Sequence, residues 1–103
     1  MRKIFFTLLF LSVQTHAWDG VHRSTITTIE VTHESNYAFR VHLSSTPKMC
    51  GNTNTWAYLN KGDSNYETYV SLLTAAKFAG REVTLYTIVA NGNYCKIAHA
   101  AIH

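Results

Sequence analysis

Proline is almost missing from this chain of 103 residues, where Pro47 stands alone, and acidic side chains number only six. With no repeat, no low-complexity tract and no linker composition, the length fits one small domain. The six carboxylates are spread singly, which argues against the close carboxylate pair that glycosidic acid/base chemistry needs. GxSxG, HExxH and a glycine-rich phosphate loop are all lacking, and so is any CxxC. These absences leave no visible catalytic apparatus, and the chain reads as a non-enzyme without a cofactor.

Long apolar runs are equally scarce. The one clear run, Ile4 to Val13, is about half of what a bilayer-spanning helix requires. It follows Arg2 and Lys3 and leads to Thr15 and Ala17 at small-residue cleavage positions, the pattern of a secretory signal peptide. Residues 1–17 are therefore expected to be removed after Ala17, leaving a domain of residues 18–103, secreted or periplasmic and without a membrane span. Loss of Arg2 and Lys3 reduces the nine basic residues to seven, against the same six acidic ones. Those seven are scattered, so the basic footprint of a nucleic-acid binder is lacking.

The two cysteines, Cys50 and Cys95, pair most simply as one disulfide in an exported protein. Closing a loop of that length contributes about 4 kcal/mol in the chain-entropy model. A domain below 90 residues needs such help, because its core is small. A catalytic or metal-binding thiol pair is the competing reading, disfavoured by the compartment.

Local patterns then give the elements. TITTIEVT (25–32) is rich in β-branched residues, but Ile26 is out of step with Ile29 and Val31, which calls for a bulge or a strong bend. YAFRVHLS (37–44) alternates cleanly and forms a hairpin with it. TWAYLN (55–60) is a third strand with Trp56 and Tyr58 on one face. SNYETYVSLLTAAKFAGREV (64–83) reads as a helix: Ser64 and Glu67 suggest a capping box, and Gly80 a left-handed C-cap. Tyr66, Tyr69, Val70, Leu73 and Ala76 line its apolar stripe, widened by Leu72 and Ala79. REVTLYTIVA (81–90), an NGN turn and YCKIAHAAI (94–102) complete the order β-β-β-α-β-β.

That order predicts a mainly β fold with one helix (α+β), namely an OB-fold-like five-stranded Greek-key barrel whose open end the helix plugs. An α+β sheet with the helix on one face shares the same order, so both architectures stay open. Histidines 22, 33, 42, 99 and 103 read as surface residues rather than a metal site. Alternation puts Phe39 and Trp56 in packed faces. Tyr86 faces away from Val83 and Leu85, beside Thr84, where an exposed aromatic suits the apolar face of a sugar ring.

Several short features carry a resemblance: the start Trp18-Asp19-Gly20, Ser24 opening the first strand, and a helix running into Gly80-x-x-Val83 and then Tyr86. In these the chain resembles the binding subunits of AB5 toxins of the subtilase-cytotoxin and typhoid-toxin type, and a broader set of small secreted bacterial OB-fold proteins. The resemblance implies a glycan site at Asp19, Ser24, Tyr86 and Thr87, a glycan or host glycoprotein as ligand, homo-pentamer assembly and a partner toxin chain. This chain departs in its single cysteine pair and in lacking a long aromatic segment after the fourth strand. The expected function is thus an exported, non-enzymatic, glycan-binding module. The alternative is an accessory factor or inhibitor that binds another protein and has no sugar site.

Overall fold

The computed structural model describes residues 18–103, and the expected signal peptide lies outside the described residues. Six strands and one helix follow in the order β1 (Gly20–Ser24), β2 (Ile26–Val31), β3 (Phe39–Leu43), β4 (Trp56–Leu59), α1 (Tyr66–Ala79), β5 (Val83–Val89) and β6 (Cys95–Ile102), with a short 3₁₀ turn at Asn91–Asn93. They form one mixed sheet of order β1-β5-β6-β4-β3-β2. All ladders are antiparallel except β4 with β6. The protein is thus mostly β with one helix, as the sequence predicts.

Six strands appear where five were expected because the first expected strand starts earlier and is split. β1 pairs with β5, β2 pairs with β3, and only Thr25 separates them. The sheet therefore has consecutive strands at its two margins and is not closed by a ladder between them. The out-of-step Ile26 has its explanation here. A register shift between Ile26 and Thr28 re-phases the strand, so that Ile26 is buried while Thr27 and Thr28 face solvent. The strand bends where the extra residue enters.

The core lies on one face of this sheet. Phe39, Val41 and Leu43 from β3, Ala57 and Leu59 from β4, Val83 and Leu85 from β5 and Ile97 from β6 form it with Met49 and the cystine. Cys50 and Cys95 are joined by a disulfide and both are buried. Helix α1 closes over this core with Leu73 and Ala76 buried, and Tyr66, Tyr69 and Val70 packed beside them. This stripe matches the sequence pattern.

Leu72 and Ala79 do not widen it. Both are exposed, Leu72 by 48%, because they lie beyond Ala76 on one flank of the stripe, about 100° and 120° around the helix from Leu73. The helix ends as expected: Gly80 takes φ 67°, and the amides of Gly80 and Arg81 return to the carbonyls of Lys77 and Ala76. Its start differs from the expected capping box. Asn65 is the residue before the helix, in the left-handed region, and no side chain caps it. Asp63 serves the preceding turn instead, accepting from the Asn60 amide at 2.7 Å and pairing with Lys96 at 2.8 Å.

Candidate functional site

Alternation along β5 divides its side chains. Val83, Leu85 and Thr87 point into the core, whereas Tyr86 points outward and is half-buried. Across the ladders Tyr86 stands opposite Val21 of β1 and His99 of β6. The His99 ring meets Tyr86 edge-on with 4.6 Å between centroids, and Trp18 lies 5.3 Å from Tyr86 and 5.8 Å from His99. His99 is the exposed member of the three. Its outward aim follows a bulge: the β5–β6 register shifts between Tyr86 and Thr87, which leaves Ala98 without a partner and turns His99 toward Tyr86.

His99 also lines a groove of about 270 Å³ between α1 and β6, with Asn65, Thr68, Tyr69 and Leu72. A neighbouring hollow of about 280 Å³ shares Asn65 and Tyr69 and carries the Asp63–Lys96 ion pair. Burial pushes the Tyr69 phenol above its ordinary range, so it keeps its proton at neutral pH and can both donate and accept. The groove thus joins apolar wall, amide, hydroxyl and phenol at the edge of an aromatic corner. Such a mixture can hold a ring with one apolar face and a polar rim.

The four expected site residues do not share one exposed surface, because Ser24 and Thr87 are buried. Asp19 adjoins Trp18, donates its amide to the Thr87 carbonyl at 2.8 Å and accepts the Val89 amide on its carboxylate at 2.8 Å. Ser24 is opposite Val83, three residues along the ladder from the Val21–Tyr86 pair, which is about 10 Å at the rise of a strand. Its hydroxyl is buried against that of Ser44 at 2.7 Å. Thr87 has no solvent exposure, and its hydroxyl donates to the Met49 carbonyl inside the core. Of the four, Tyr86 alone presents an aromatic side chain outward, with Asp19 bracing the backbone beside it.

Trp18 and His99 are the members that sequence reasoning missed. The alternation of β6 does not reveal His99, because the bulge resets it. Trp18 precedes the first strand and carries no periodic signal at all.

A second aromatic cluster gathers on the outer face of β3, β4 and β6. Trp56 belongs here and not to the core, since Ala57 and Leu59 take the inward positions of β4. Tyr94 lies 4.9 Å from Trp56, the Arg40 guanidinium carbon 4.9 Å from the Trp56 ring, and Tyr37 stands edge-on to Tyr58 and Tyr94 at 4.7 Å from each. The Tyr37 hydroxyl reaches the Asn91 carbonyl, while Asn52 and Asn54 both donate to the Asn93 carbonyl. Ring surfaces here are spent on one another and on the 91–93 turn, so this cluster fastens a loop.

Among the described residues no group of three or more His, Cys, Asp or Glu side chains is placed to hold a metal ion, and no helix is long and apolar enough to cross a membrane. No protein-family model, curated protein or solved structure matches the chain.

Proposed function

We propose that this is an exported, non-enzymatic binding module built on an OB-type barrel, and that it holds a glycan at the Trp18–Tyr86–His99 corner. The barrel reading is supported by the strand order. β1 and β2, one residue apart, act as the two halves of a single bent strand, β4 runs parallel to β6, and the helix enters between β4 and β5. These connections support reading the sheet as a five-stranded Greek-key barrel whose first strand is shared between both margins.

The observation that carries the glycan reading is a half-exposed tyrosine flanked by Trp18 and His99, with His99 also lining a groove that holds Asn65, Thr68 and Tyr69. A sugar ring stacks its apolar C–H face on Tyr86 or Trp18, and its hydroxyls exchange hydrogen bonds with the imidazole, the amide and the phenol. Ser24 and Thr87 form no part of this site, because their hydroxyls are buried and already bonded.

A glycan array on the mature protein identifies a ligand, and titration of Tyr86→Ala and Trp56→Ala against that ligand then tests the position. Tyr86→Ala should weaken binding by at least about 1 kcal/mol, the scale of one aromatic contact, with little change in melting temperature. Trp56→Ala should spare the affinity. Loss of binding confined to Trp56→Ala would move the site to the second cluster, and an array without any binder would overturn the glycan reading.

A further inference from the structure

Helix α1 turns one face to the core and leaves the opposite face uncovered. Glu67, Thr68, Ser71, Ala75 and Phe78 are exposed there, with exposed Leu72 and Ala79 along one flank, and Phe78 reaches 84%, the largest exposure of any big apolar side chain among the described residues. Only one of these seven outward residues is charged. An amphipathic helix at a protein surface normally turns its polar side to water, whereas the end of this face around Ala75, Phe78 and Ala79 is apolar.

Its arrangement is symmetric about Ala75. Leu72 and Phe78 lie three residues to either side, and Ser71 and Ala79 four. When two such helices run antiparallel across a twofold axis at Ala75, each Phe78 comes level with the other copy's Leu72, and each Ser71 with the other copy's Ala79. The small side chain at the centre permits the close approach of packed helices. Charge agrees with this direction: Glu67 marks the first turn of this face, and exposed Arg81 follows its end. Antiparallel pairing sets the acidic end of one helix beside the basic end of the other and opposes their dipoles. A parallel pairing would set like against like.

We propose that α1 is a self-association surface and that two copies of this chain pair through it as an antiparallel, isologous dimer centred on Ala75. A patch that contacts itself is what twofold symmetry demands. Leu72 also lines the groove beside His99, but Ala75 and Phe78 lie outside that groove, so variants at these two positions test the dimer without touching the glycan reading.

Sedimentation velocity over a concentration series, with an engineered thiol as a geometric probe, tests it. The wild type should pass from one to two copies as concentration rises, and Phe78→Glu should stay monomeric at concentrations where the wild type is dimeric, with an unchanged melting temperature. In Ala75→Cys the new thiol is the one cysteine outside the native disulfide, and mild oxidation should link two chains through it. A wild type that is monomeric throughout, assembly that survives Phe78→Glu, a ring of more than two copies, or a dimer that Ala75→Cys fails to cross-link would each overturn the proposal.

Discussion

The Thr87 hydroxyl donates to the Met49 carbonyl in the interior, and so ties β5 to the loop that carries Cys50. Both atoms are out of reach of water, which makes the bond costly to lose. Thr87→Val keeps the shape but leaves the carbonyl without its donor. It should lower stability by about 1 to 3 kcal/mol, measured by urea denaturation, and leave affinity at Tyr86 unchanged. An unchanged denaturation midpoint would mean that the hydroxyl is dispensable.

Gly20 sits against the same carbonyl. A methyl group there would run into the Met49 carbonyl oxygen, with the Thr87 hydroxyl 2.8 Å away on another side. Backbone cannot step aside as a flexible side chain does, so Gly20→Ala should cost at least the 1 to 3 kcal/mol or so typical of overpacking. Thermal unfolding measures it, and a melting temperature equal to wild type would contradict the placement of β1.

The helix offers a contrast within one element. Leu73 has no exposure, while Lys77 is only half-covered. Leu73→Asp puts an unpaired charge into the core at a cost of several kcal/mol and should abolish cooperative unfolding in circular dichroism. Lys77→Ala should leave the transition within about 0.5 kcal/mol, as surface changes usually do.

On the outer face of β2 and β3, Glu30 accepts from His42 at 2.8 Å. That hydrogen bond holds the Glu30 carboxyl below its ordinary range, assisted by the charges of His42 and Arg40. A carboxyl depressed on folding adds stability above its unfolded value and loses it as pH falls through the lower folded one. The pair is exposed, so the effect should stay below about 1 kcal/mol. Comparing melting temperatures from pH 7 down to pH 3, the wild type should fall slightly more than Glu30→Gln. Parallel curves would show that the contact carries nothing.

How far the sequence could be read depended on whether local pattern or long-range geometry decided a position. Gly80, the alternating Phe39, Val41 and Leu43, and the cysteine pair obey short-range rules, and the fold keeps them. The capping box at Ser64 and Glu67 is lost because Asp63 and Asn60 build a competing turn, after which Asn65 enters the helix from the left-handed region. Trp56 looks like core by hydrophobicity, yet Arg40 and Tyr94 give it a packed place on the outer face. Thr87 was legible in principle: it shares the alternation of Val83 and Leu85, and that phase buries it whatever its polarity. His99 was not, because a bulge has no sequence signature of its own.

The single residue between β1 and β2 has a consequence for the order in which the molecule can assemble. β2 finds its partner β3 within a short hairpin, but Val21 of β1 pairs with Tyr86, near the other end of the chain. The first strand to be synthesised therefore stays without its partner until almost the last one exists. Contacts of such wide separation are slow to form, because the closure entropy precedes their reward. A ribosome or a translocation pore that releases the N-terminus first delivers a hairpin with a loose leading edge, and the Trp18–Tyr86–His99 corner, which needs both ends, is among the last features to come into being.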